Sequence, residues 1–133
     1  MSLYYLDTSA ALKLLAEESH SLAFAAFYDE HSDDDWVSSA LLRVEFVRAV
    51  RRTLPALLPD ALELLMAFDY VRIDDDIVDA AANEPERALR SLDAIHLATA
   101  QALGSDVAAL VTYDERLAQA ARGAGIRVVS PRG

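Results

Sequence analysis

LYYLDTSAALKLL, residues 3–15, is the stretch on which the fold turns. Strand-forming residues run to Asp7, a hydroxyl pair, Thr8-Ser9, follows, and an apolar run of helical character begins. An acid with neighbouring hydroxyls at such a junction suits a helix start, because Asp, Ser and Thr accept bonds from the unpaired amides of the first turn. The same design returns in ALVTYDERL, residues 109–117, where a buried-strand run ends in Thr112 and Asp114 opens the next helix. Two strand-to-helix junctions of one type, at opposite ends of the chain, predict a wound α/β fold in which both strand ends reach the same edge of a sheet.

The sequence between them alternates in the same way. Strands are predicted at 3–7, 36–38, 70–73, 108–111 and 126–129. Helices are predicted at 9–17, 21–30, 39–52, 59–68, 91–103 and 114–122, with a further helix start at Asp74 to Asp76. Pro59 suits a first helical turn and Gly104 a helix end. Short, continuously apolar strands separated by helices predict a three-layer α/β sandwich with a mainly parallel central sheet flanked by helices. In such sheets ligands bind beyond the carboxyl ends of the strands, where Asp7 and Asp114 fall.

At 133 residues, 53% of them hydrophobic, the chain is long enough for one domain, 1–133, with a substantial core. No apolar run is long enough to span a bilayer, and with no cysteine there is neither a disulfide framework nor a thiolate metal site, which suits a cytoplasmic protein. The net charge is −10, from 22 acids against 12 bases. That balance disfavours sequence-independent nucleic-acid binding and favours a cation or a basic protein partner. The bases are eleven arginines and one lysine, Lys13, so a local guanidinium patch still suits phosphate.

Four acids stand out by position. Asp7 and Asp114 sit at the two junctions, as helix caps or as ligands. Glu45 lies in SSALLRVEFVRAVRR, residues 38–52, on or beside the apolar arc. A carboxylate there needs an ion pair, with Arg48 or Arg52 in reach, or a metal. Asp93 lies in LRSLDAIHLATAQALG, residues 89–104, in the first turn of a nearly all-apolar helix with Ser91 as the expected cap. Carboxylates converging on one pocket raise one another's pKa, and a hard divalent cation removes that conflict. Oxygen-only donors suit Mg²⁺ or Mn²⁺, which activate water and stabilise the leaving oxygen of a phosphodiester.

Other acids and bases carry less. The runs Asp33 to Asp35 and Asp74 to Asp76 read as solvated loop and helix-start charge. His96 shares a helical face with Asp93 and reads as a hydrogen-bonded core or rim residue; His20 and His31 are expected to be exposed. Arg43, Arg48, Arg51 and Arg52 form the densest basic cluster, with pairing to nearby acids as the default. The residue two after Asp7 is Ser9, which lacks the D-x-D of aspartate-nucleophile phosphatases, and no late lysine supports a receiver domain.

LDTSAALKL, SSALLRVEFVRAVRR, SLDAIHLATAQALG and LVTYDERLAQAARGAGIRVV, in this order, resemble a PIN-domain ribonuclease, and more narrowly a VapC-type toxin of a bacterial toxin–antitoxin pair. The resemblance spans essentially the whole chain. It implies an Mg²⁺- or Mn²⁺-dependent endoribonuclease whose catalytic and metal-site acids fall on Asp7, Glu45, Asp93 and Asp114, with Thr112 as the neighbouring hydroxyl and Thr8 in support. It also implies an RNA substrate, a small VapB-type antitoxin that inhibits the enzyme, and a homodimer. The apolar helices 9–17, 21–30, 39–52 and 59–68 leave room for such a partner surface, or are all core. The competing reading is a non-catalytic α/β interaction module whose acids only cap helices.

Overall fold

The computed structural model describes residues 2–132; the two end residues of the expected domain, Met1 and Gly133, lie outside the described residues. The chain begins with β1 (Leu3–Leu6), α1 (Thr8–Leu15), α2 (Ser21–Glu30) and β2 (Asp35–Ser39). It continues through α3 (Leu41–Thr53), a single 3₁₀ turn (Pro55–Leu57), α4 (Leu58–Leu65), β3 (Asp69–Val71) and α5 (Asp75–Ala82). The last third holds α6 (Ser91–Leu103), a second 3₁₀ turn (Gly104–Asp106), β4 (Val107–Val111), α7 (Glu115–Gly123) and β5 (Val128–Val129).

The five strands lie in the order β3-β2-β1-β4-β5, and every neighbouring pair is parallel. Each strand-to-strand connection therefore needs a helical crossover, which is what the alternating sequence supplies. The first strand ends up in the middle: the chain leaves β1 for β2 on one side and returns to pair β4 on the other. The carboxyl ends of β1 and β4 thus flank the point where the winding reverses, where open α/β sheets leave a crevice.

The two faces of the sheet are read off the strands with period two. Tyr4 and Leu6 of β1, Trp36 of β2, and Ala109 and Val111 of β4 pack into one core with Phe24, Leu42, Phe46, Val50, Ala61 and Leu65 from α2, α3 and α4. Tyr5, Val37 and Leu110, one residue out of phase, face Leu97 and Ala100 of α6 and Leu117 and Ala121 of α7. Each large apolar side chain fully buried this way stabilises the fold by roughly 1.5–3 kcal/mol. The expected three-layer sandwich is the observed one.

Some boundaries move, for identifiable reasons. The helix predicted at 59–68 starts at Leu58 with Pro59 in its first turn and ends at Leu65; the Met66 and Ala67 amides close it by bonding to Glu63 and Leu64. The last strand begins at Val128, not Ile126, because the Ile126 amide is taken by the Ala121 carbonyl at the end of α7. Asp7 stands just outside β1, although its amide still reaches the Val111 carbonyl at 3.3 Å and holds it against β4. Among the described residues no helix is long and apolar enough to cross a membrane.

Candidate active site

Asp7 is 3% exposed and caps α1 by accepting from the Ala10 amide at 3.0 Å. The capping expectation is therefore correct, but it is not the whole role. The Ser9 hydroxyl donates to the same oxygen, Oδ1, at 2.7 Å, and the Thr112 hydroxyl donates to Oδ2 at 2.6 Å. Each hydroxyl also accepts from a backbone amide: Ser9 Oγ from that of Tyr113, across the sheet edge, at 2.9 Å, and Thr112 Oγ1 from that of Asp114, within its own junction, at 3.0 Å. Since each hydroxyl has one proton, already given to Asp7, the 3.3 Å approach of Ser9 Oγ to Thr112 Oγ1 is a proximity that falls out of this geometry. The two strand-to-helix junctions are clasped together through one carboxylate. Burial pushes the Asp7 pKa up, against the pull of His96 and of the Thr112, Ser9 and Ala10 bonds.

Asp114 caps α7, with Oδ1 accepting from the amides of Arg116 at 2.9 Å and Leu117 at 3.1 Å. Glu45 faces inward from α3, and its Oε1 accepts from Thr8 Oγ1 at 2.8 Å and from His96 Nε2 at 2.7 Å. The ion pair expected with Arg48 or Arg52 does not form. Both guanidiniums lie on the exposed side of α3, and among the described residues neither makes a salt bridge. Burial works to raise the Glu45 pKa, but the His96 interaction and the Thr8 bond outweigh it and leave the carboxyl below its ordinary value.

Asp93 is the third residue of α6, in the first turn as expected. The cap of that helix is Arg90 rather than Ser91: Ser91 is already helical, and no side chain closes the start. The Asp93 carboxylate makes no hydrogen bond among the described residues, and its pKa is pushed up to about 6 by burial and by the charges of Asp114, Asp7 and Glu45, with His96 opposing. An acid whose folded value exceeds its unfolded one is penalised in the folded state once pH passes the folded value, and the penalty vanishes below the unfolded value. In EDTA, Asp93→Asn is therefore expected to raise the melting temperature at pH 8. The gain should shrink as pH falls through about 6 and be gone near pH 4. Thermal denaturation of both proteins across that range checks it; a gain that stays constant with pH would show that repulsion at Asp93 is not its source.

All four acids, together with Thr8, Ser9, His96, Arg48 and Arg52, line one cavity of about 530 Å³. It runs into a second, of about 580 Å³, that shares Glu45, Leu92, Asp93 and Asp114 and adds Arg90 and Arg116. The result is a trough bordered by the carboxylates, with exposed Arg48 and Arg52 lining the first cavity and exposed Arg90 and Arg116, beside Glu115, the second. Among the described residues no three acidic or histidine side chains are already gathered into a metal cage; the acids stand around the trough wall.

Of the residues set aside from sequence, the two acidic runs, His20 and His31 stay outside it, whereas His96, Arg48 and Arg52 line it. Asp74 caps α5 through the Ile77 amide at 2.9 Å, and Asp34 holds the Ser2 amide at 3.0 Å beside His31. His31 and His20, expected to be exposed, are both half-buried, the first against Tyr4 and Phe27 and the second stacked on Tyr113. His96 is the residue whose importance sequence reasoning understated. It is a hydrogen-bonded core histidine, as expected, at 1% exposure, and it also grips a carboxylate of the trough. The signal was present as an imidazole one helical turn beyond Asp93 in an otherwise apolar helix.

The PIN domain family model matches residues 4–123. Over 129 residues and 96% of either chain, the protein is 47% identical to Ribonuclease VapC35 of Mycobacterium tuberculosis strain H37Rv. It is 39% identical to Ribonuclease VapC46 of the same strain, over 98% of this chain and 99% of that one. Among solved structures, a chain of a toxin-antitoxin complex from Klebsiella pneumoniae superposes with a TM-score of 0.72 at 21% identity, covering 98% of each chain. A chain of VapBC2 from Rickettsia felis, bound to a DNA fragment from its promoter, gives 0.72 at 9% identity, covering 97% of this chain and 98% of that one. A wound parallel sheet with carboxylates at the ends of its central strands, joined to these likenesses, assigns the chain to the PIN-domain family, among its VapC-type members.

Proposed function

We propose that this protein is a VapC-type endoribonuclease that uses Mg²⁺ or Mn²⁺ to hydrolyse RNA phosphodiester bonds, as the toxin of a toxin–antitoxin pair working in the cytosol. Its kinship with VapC ribonucleases supports the activity. The single structural observation that carries the reading is the meeting of four carboxylates from β1–α1, α3, α6 and β4–α7 on one trough. That geometry favours an enzyme over a module whose acids merely cap helices, because Glu45 and Asp93 cap nothing.

The donor set fits a hard divalent cation. The donors are all oxygen, Asp93 is free of hydrogen bonds among the described residues, and its raised pKa reports burial together with the crowding of Asp114, Asp7 and Glu45 around it. Asp7, Glu45, Asp93 and Asp114 would hold the ion. When bound it would activate water for attack and offset charge on the scissile phosphate and leaving oxygen. The chain's own residues prepare the rest. Ser9 and Thr112 fix the Asp7 carboxylate, and Thr8 and His96 fix that of Glu45. Preset geometry of this kind removes reorganisation from the barrier.

The arginine pairs answer how a chain of net charge −10 takes an anionic polymer. Arg48 and Arg52 in one cavity, and Arg90 and Arg116 in the other, suit phosphates that flank the scissile one. Removing a pair, as in Arg48→Ala with Arg52→Ala, is expected to weaken RNA binding and flatten its dependence on salt. The logarithmic slope should fall by about 0.7 for each phosphate no longer neutralised. Binding titrations at several salt concentrations check this, and an unchanged slope would rule these two arginines out as phosphate holders.

The partner is a VapB-type antitoxin, and the enzyme acts as a homodimer. Support for a partner surface comes from Val44 and Leu92, large apolar side chains left half-exposed at the trough wall. The deciding experiment is cleavage of RNA by purified protein with Mn²⁺ and with EDTA. Cleavage only with the metal is expected. Activity that persists in EDTA, once contaminating nuclease is excluded, would end the metal-dependent reading. Absence of both Mn²⁺ binding and cleavage would favour the interaction module.

A further inference from the structure

We infer that Tyr5 and His96 form a buried relay that sets the orientation of Glu45, leaving one carboxylate oxygen free for the cation. The inference rests on the reading of Glu45 as a ligand. Tyr5 is fully buried in β1 and His96 almost so in α6, 91 residues apart in sequence, with Tyr5 Oη 2.7 Å from His96 Nδ1. The Ser39 amide donates to Tyr5 Oη at 3.2 Å, which leaves the phenol proton to be given away. The other hydroxyls near it, Ser38 and Thr99, give their own protons to the carbonyls of Leu6 and Ile95. At 2.7 Å, His96 Nδ1 is the acceptor best placed for the Tyr5 proton, and the Glu45 carboxylate, which can only accept, independently calls for the hydrogen on Nε2.

A ring nitrogen that accepts forces the other to carry the hydrogen. His96 is then the Nε2–H tautomer, and its N–H points at Glu45 Oε1, 2.7 Å away. Thr8 donates to that same oxygen at 2.8 Å. With both donors on Oε1, no donor among the described residues reaches Oε2, which is left for the trough. The chain Ser39 N–H to Tyr5, Tyr5 O–H to His96, His96 N–H to Glu45 has one polarity and every buried member satisfied. A carboxylate on a mobile three-bond stem is thereby held in one rotamer. His96 and Tyr5 are positioning residues; neither is assigned contact with RNA.

The relay is tested on the full chain by two measurements besides activity. The first is the nitrogen-15 spectrum of the His96 ring in metal-free protein, where the Nε2–H pattern is expected and any other pattern overturns the relay. The second is Mn²⁺ affinity by calorimetry. His96→Leu, which keeps the volume and loses the donor, is expected to weaken Mn²⁺ binding about ten- to a hundredfold. His96→Gln, whose amide nitrogen can stand where Nε2 stands, should recover most of that loss. A folded His96→Leu protein that binds Mn²⁺ like the wild type, or a glutamine variant no better than leucine, would refute the role. Should the leucine variant not fold, Tyr5→Phe decides: Mn²⁺ binding must be weakened although the Glu45 carboxylate keeps the hydrogen on Nε2, and wild-type affinity in that variant would refute the relay. If wild-type protein binds no Mn²⁺ at all, the nuclease reading fails on its own, while the ring spectrum still tests the relay.

Discussion

Asp93→Asn is expected to lower RNA cleavage in Mn²⁺ by about a thousandfold, roughly 4 kcal/mol of barrier, while leaving a fully folded protein. The substitution keeps the size of the side chain and removes its charge. Asp93 makes no hydrogen bond among the described residues that an amide could break, so structure gives no reason for the fold to suffer. The same variant is the one expected to be more stable than wild type in EDTA at pH 8. A protein that gains melting temperature and loses activity through one atom shows where folding stability has been given up for chemistry. Single-turnover cleavage of a labelled RNA, with Asp33→Asn as a control at an exposed loop acid, makes the comparison. Retention of more than about a tenth of wild-type activity would remove Asp93 from the reaction, since a lost charge in a transition-state site costs far more than tenfold.

The second large effect lies at Asp7, and there stability and activity fall together. Asp7→Ala removes a helix cap and strands two hydroxyls, Ser9 and Thr112, that give their protons to it in a buried place. A lost cap costs about 1 kcal/mol and each stranded buried group about 1–3 kcal/mol, so a loss of about 3–4 kcal/mol is expected after partial relaxation. Asp7→Asn retains one oxygen acceptor and most of the packing, and should lose less than half as much stability while still losing cleavage. Urea denaturation measures the difference. Equal losses for alanine and asparagine would mean that the clasp between the two junctions contributes nothing through hydrogen bonding.

Much of this arrangement could be seen in the sequence because it is local. A strand ending in an acid or hydroxyl and passing straight into a helix places Asp7 and Asp114 at strand ends, whatever the rest of the chain does. The first-turn position of Asp93 and the inward lean of Glu45 follow from helical periodicity in the same way. What could not be seen is pairing between distant segments. Nothing near Glu45 in sequence announces His96, 51 residues on, whereas Arg48 and Arg52 lie one and two turns away and looked like natural partners. They lost because Glu45 is turned towards the buried edge of α6 while their own positions face water. Ser91 failed as a cap for a related reason: capping preference is a tendency of residue types, and the path of the preceding loop put Arg90 in the extended cap conformation instead.

The bond from Thr112 to Asp7 joins residues 105 apart, through a strand pair in which β1 sits at the centre of the sheet. During synthesis from the amino end, Asp7 emerges among the first residues, yet its second clasp and the strand that supports it come in the last fifth of the chain. Until the ribosome has released that portion, the proposed site has one wall missing. A nascent or prematurely ended chain is accordingly expected to leave RNA uncut, so that elongation itself sets an interval before each new molecule is armed.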